Sequence, residues 1–163
     1  MYNEDFECKP PQTRHDARET ALQLLYSLEL SGNSISAVLN DLLPNCESPP
    51  EALAFCKKIV ELTFNDRNEL DDFIRKHSAN WKFERIALID LIIMRVAICE
   101  LLHFYDVPPK VSIDEALELA KKFSTFKSSG FINGILDAIL INLQKSNMII
   151  KTGRGKQNTP IKK

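Results

Sequence analysis

The longest apolar run in the chain, Ile86 to Leu102, is interrupted only by Asp90, Arg95 and Glu100 and contains no glycine or proline. Its length predicts a helix rather than a sheet-core strand. A helix that is apolar on nearly every side must be surrounded by protein or by lipid. Spanning a bilayer takes roughly 20 apolar residues with few charges, and three charges inside this run argue against lipid. Phe83 to Phe104 is therefore predicted to be the central helix of an all-α bundle, with no membrane partner. Unpaired charges are costly in such a core. Arg95 is expected to make a buried hydrogen bond to backbone or to a carboxylate. For Asp90 two placements stay open: paired inside the bundle, or directed from an exposed strip toward a partner protein.

Apolar spacing of three and four predicts the surrounding helices. Helix 1 is predicted from about Thr13 to Leu30, with Ala17, Ala21, Leu24, Leu25 and Leu28 inward and Gly32-Asn33 as its stop. Arg14, His15, Asp16, Arg18 and Glu19 at its start read, on charge alone, as a solvated first turn. A short helix follows, with Ser34 as N-cap, Ile35, Val38, Leu39 and Leu42 as its apolar side, and Pro44 as its stop. Ser48 and Glu51 have capping-box spacing before a helix that buries Leu53, Cys56, Ile59, Val60 and Thr63. A break near Asn65-Asp66 leads into a segment carrying Leu70, Phe73, Ile74 and His77, although one bent helix also fits. Trp81, in the turn before the central helix, is expected to plug the core.

Beyond the central helix, Asp106 to Lys110 is a rigid proline-containing connector. Ser112 and Glu115 repeat the capping-box spacing before a helix with Ile113, Ala116, Leu117, Ala120 and Phe123 inward. Ser124 to Gly130 reads as a polar loop, with Ser128 or Ser129 capping the last helix. That helix turns Ile132, Ile135, Leu136, Ile139 and Leu143 to the core. Phe131 in its first turn is either core or an exposed ring beside Lys127, and spacing alone favours the core. A ring, a cation and free amides at a helix start would suit single-stranded RNA.

The chain of 163 residues is expected to form one ordered domain over residues 13–145, with a flexible arm over 1–12 and a disordered basic tail over 146–163. A formal net charge of −1 means that any nucleic-acid binding must come from local patches. Cys8, Cys46, Cys56 and Cys99 form no CxxC pair, and His15, His77 and His103 have neither metal-ligand spacing nor a catalytic grouping. Neither a phosphate loop nor a nucleophile elbow is present. The residues thus call for no metal, no cofactor and no catalytic site. The lack of an apolar leader segment predicts a cytoplasmic protein. Read this way, the chain is a helical adaptor with basic patches toward both ends.

Several segments, in order, resemble the NusB family of bacterial transcription antitermination factors. They are Ala17-Arg18-Glu19, Ala21 to Tyr26, Trp81 with Arg85, Met94 to Ala97, Glu100 to Leu102, Asp106 to Val111, Glu115 to Phe123 and Phe131 to Asp137. The resemblance implies an all-α bundle of about seven helices in two packed sub-bundles, without catalysis. It implies binding of boxA RNA from ribosomal RNA leader transcripts together with NusE, a small-subunit ribosomal protein, inside an RNA polymerase antitermination complex. Residue by residue, it points to Arg14, His15, Arg18, Lys110, Lys127, Ser128 and Phe131 for RNA, and to Tyr26 and Asp90 for NusE. His15 and Asp16 stand where an arginine run is common. Lys127 stands where an acid is common, and Gly130 where a base is.

Two rival readings follow. A NusB-like domain also precedes the catalytic domain of an RNA cytosine methyltransferase family, which would make this chain a fragment of an enzyme. The other rival is a helical interaction protein without RNA. The resemblance leaves monomer and homodimer both open.

Overall fold

The computed structural model describes residues 9–42 and 47–156. Most of the arm, the Pro44 helix stop, Cys8, Cys46 and the end of the tail lie outside the described residues. Seven α-helices are described, and no strand among these residues. The chain divides into two compact units, Met1–Phe64 and Asn65–Lys163.

In the first unit, α1 (Arg14–Ser31) packs its Ala17, Ala21, Leu24, Leu25 and Leu28 stripe into the interior. Its start is a full capping box rather than a merely solvated turn. Thr13 Oγ1 accepts from the Asp16 amide at 3.1 Å, and Asp16 Oδ2 accepts from the amides of Thr13 and Gln12. Gly32 ends the helix in the left-handed region at φ 66°, its N–H donating to Leu28 O. Helix α2 (Ile35–Leu42) is capped by Ser34, whose Oγ accepts from the Ala37 amide at 3.2 Å. Helix α3 (Pro50–Asn65) buries Phe55 in addition to Cys56, Ile59, Val60 and Thr63. The expected Ser48–Glu51 capping box does not form. The helix begins at Pro50, one residue too late for Ser48 to be the N-cap, and Ser48 Oγ is buried without a partner.

The second unit opens with α4 (Arg67–His77), and Asp66 marks the break from α3. A 3-10 turn at Phe83–Arg85 precedes α5 (Leu88–His103), so the central helix starts five residues later than the predicted Phe83. Every α5 residue from Asp90 to Leu101 is buried. Helices α6 (Pro109–Phe123) and α7 (Phe126–Lys145) pack on each other and on α5, and α4 packs on α5 and α7.

Arg95 pairs with Asp71 of α4. Nε lies 2.7 Å from Oδ1 and Nη2 lies 2.8 Å from Oδ2, a bidentate bond inside the core. Trp81 does not plug the core. The turn closed by its amide on Ser78 O leaves Trp81 61% exposed, in a T-shaped pair with Phe131. The second expected capping box also fails. Helix α6 starts at Pro109 with Pro108 as its N-cap, which places Ser112 inside the helix, buried and without a partner for its hydroxyl. The loop expected over Ser124 to Gly130 is mostly helix. Thr125 is the N-cap, accepting from the Ser128 amide at 3.2 Å, so α7 begins five residues before Phe131.

The first part of the tail is docked rather than disordered. Lys151 Nζ donates to Glu100 O at 3.1 Å and to Phe104 O at 2.8 Å, satisfying carbonyls at the end of α5. The Thr152 amide donates to Tyr105 O at 2.9 Å, and a 3-10 turn follows at Gly153–Lys156. Burial holds the Lys151 amine down at about 8, against the upward pull of the Glu100 and Asp106 charges.

Two expectations follow. Thr13→Ala removes the α1 cap and should cost about 1 kcal/mol in chemical denaturation, with the Thr13→Ser protein close to the original. In an NMR titration of the lysine side chains, one resonance should titrate near pH 8, and Lys151→Arg should delete it. The docked state binds this proton less tightly than the free segment does. Protection of the Thr152 amide should therefore rise as pH climbs from about 8 toward the ordinary lysine range. Lysines that all titrate together above pH ~10 would contradict the docking.

Candidate nucleic-acid interface

Each unit carries its own set of candidate residues. In the first, the box that starts α1 fixes the register of the basic residues that follow. Arg14 lies over the Phe55 ring at 4.7 Å and its Nη2 is 3.2 Å from Glu51 Oε1. Arg18 lies over the same ring at 5.0 Å. Only Arg14 keeps substantial solvent contact, because Arg18 is 3% exposed. Arg18 is therefore not part of a solvated first turn: its guanidinium is buried against an aromatic face. His15 is exposed, with Nε2 3.4 Å from Glu19 Oε1. The Asp16 carboxyl is held below the usual range, chiefly by the Gln12 amide, so it stays charged as a cap. Tyr26 is half-buried three turns along.

In the second unit the start of α7 gathers most of the predicted residues. Lys127 is in the first turn and exposed. Ser128 is half-buried, and its hydroxyl donates to Asp90 Oδ2 at 2.8 Å. The hydroxyls of Ser124 and Thr125 each lie 3.0 Å from Ser128 Oγ, so four side chains form one polar cluster. Asp90 is 6% exposed, which corrects the exposed-strip placement: its carboxylate faces inward and ties α5 to α7. Its Oδ1 is buried without a partner. Phe131 is half-buried, one turn after Lys127, with its ring centroid 5.3 Å from that of Trp81 and the planes at 70°. This edge-to-face pair is neither the core placement nor a fully exposed ring. Lys110 is exposed in the first turn of α6.

Sequence reasoning missed two aromatic residues here. Phe55 supports both arginines of α1, and its spacing of three from Ala52 and four from Ile59 would have placed it on the buried side of α3. Phe126 is 85% exposed at the first position of α7. It was hidden by reading Ser124 to Gly130 as loop, and the Thr125-x-x-Ser128 spacing was the signal that could have revealed the helix start. Among the described residues, no group of three or more His, Cys, Asp or Glu side chains could hold a metal ion. No helix among them is long and apolar enough to cross a membrane.

Comparison with known proteins agrees with this architecture. The NusB family model matches residues 15–140. The transcription antitermination protein NusB of Chloroherpeton thalassium is 41% identical over 152 residues, which is 93% of this chain and 72% of that protein. The structure of T. maritima NusB superposes with a TM-score of 0.73 at 28% identity, covering 80% of this chain and 92% of that one. A chain from the crystal structure of antitermination factors NusB and NusE in complex with dsRNA gives a TM-score of 0.70 at 26% identity, covering 79% of this chain and 96% of that one. The chain belongs to the NusB family.

Proposed function

We propose that this protein is a cytoplasmic transcription antitermination factor that binds boxA RNA together with NusE and joins the RNA polymerase antitermination complex. Its action is binding, not catalysis, as in the NusB proteins it is similar to. The solved complex of a relative with NusE and dsRNA supports both partners by analogy. The observation that carries the RNA reading is the start of α7, where exposed Lys127 sits one helical turn from Phe131, itself packed against the exposed Trp81 ring. A phosphate meets a cation there, and a splayed base meets an aromatic surface.

The proposed RNA contacts are Arg14 and His15 in the first unit, and Lys110, Lys127 and Phe131 in the second. Arg18 backs Arg14 through their shared ring, Phe55. Ser128 fixes the first turn of α7 through Asp90 rather than spending its hydroxyl on RNA. Tyr26 is the proposed NusE contact, with Asp90, whose Oδ1 makes no hydrogen bond, as a second candidate.

Titration of a boxA-containing RNA, with and without the cognate NusE at fixed salt, tests the proposal. Tighter and sequence-dependent binding in the presence of NusE is expected, and equal binding to a scrambled RNA under both conditions would contradict it. Lys127→Asp should weaken binding and lower the salt slope of log K by roughly 0.7, the contribution of one single-strand phosphate contact.

A further inference from the structure

The docked tail segment has features that solubility alone does not require. Its sequence, Thr152-Gly153-Arg154-Gly155-Lys156, sets a cation between two glycines that the backbone needs. Gly153 has φ 52°, in the region that disfavours side chains. Gly155 is buried, and a Cβ there would collide with the Tyr105 carbonyl oxygen. The Gly155 amide donates to Thr152 O at 2.8 Å and closes the turn. Lys151 caps the carbonyls at the end of α5, which accounts for the anchor but not for the turn beyond it. Arg154 and Lys156 are both exposed on that turn. From Lys145 to Lys163 the sequence has six Lys and Arg residues and no Asp or Glu.

The turn rests on Tyr105, and Lys110 follows five residues later across a connector stiffened by Pro108 and Pro109. A cation on a seated backbone binds with less loss of chain freedom than one on a free chain. The geometry points to the Thr152–Lys156 turn as an additional phosphate-backbone contact for RNA, with Arg154 as the contacting cation and Gly155 as the residue that seats the turn. This inference rests on the RNA-binding reading above. It adds a site that reads charge and not sequence, since a guanidinium that neutralises a phosphate carries no information about the base.

The test uses the full chain with boxA RNA and with a scrambled RNA of equal length, each over a salt series. Arg154→Ser should weaken both RNAs by the same factor, about threefold or more, and lower the salt slope by roughly 0.7. Gly155→Ala should act in the same direction by unseating the turn, and Arg154→Ser should leave the thermal midpoint unchanged. Lys127→Asp serves as an independent contact. If Lys127→Asp weakens binding while Arg154→Ser keeps the affinity and slope of the unaltered protein, the tail contact is wrong and the RNA reading stands. A lower affinity with an unchanged slope also overturns the phosphate contact. If the unaltered protein binds neither RNA, both readings fall.

Discussion

A helix with no exposed face leaves its charged residues no water, so each must find a partner inside the protein or at a helix end. Helix α5 carries three such residues within its buried run, and each coincides with a tie to a different neighbour. Asp90 accepts from Ser128 and fixes the first turn of α7. Arg95 grips Asp71 and joins α4. At the third, Glu100, the tie is made by the backbone: its carbonyl accepts from Lys151, which holds the C-terminal segment. A purely apolar α5 would bury as much surface but would specify its neighbours less closely. Here Asp90 and Arg95 select which segment lies against which stretch of the helix.

The same constraint places the candidate binding residues. Lys127 sits where it does because Asp90 and Thr125 fix the turn on either side of it, through Ser128. Arg154 sits where it does because Lys151 and Gly155 seat the preceding and following residues against the end of α5. In the first unit an aromatic ring does comparable work, as Phe55 lies beneath both Arg14 and Arg18. In each case the backbone beneath the cation is fixed before any ligand arrives, and for Arg14 the guanidinium itself is seated on a ring, which lowers the ordering cost of binding.

Periodicity made the helices legible because apolar spacing of three and four survives in every one of them. Gly32 marked the end of α1 through a backbone requirement that is local to the residue. What could not be read was set by long-range geometry. The Ser48 and Ser112 boxes had the right spacing, but Pro50 and Pro109 fixed where the chain enters each helix. Trp81 and Phe131 find each other from segments 50 residues apart, so neither ring's environment follows from its own neighbours in sequence. Asp90 is a similar case: burial is decided by Ser128 on another helix. The tail looked aperiodic, and its docking depends on backbone carbonyls, which leave no mark in a side-chain pattern.

The most direct measurement is a double-mutant cycle on Asp71 and Arg95, read by equilibrium chemical denaturation. Asp71→Leu or Arg95→Met alone strands one buried charge, and each should cost about 3–5 kcal/mol. The double variant should be no less stable than the worse single one, giving a coupling of about 3 kcal/mol or more. Single variants that each lose less than ~1 kcal/mol, with losses that add in the double variant, would be the behaviour of surface charges and would contradict a core held in register by buried pairing.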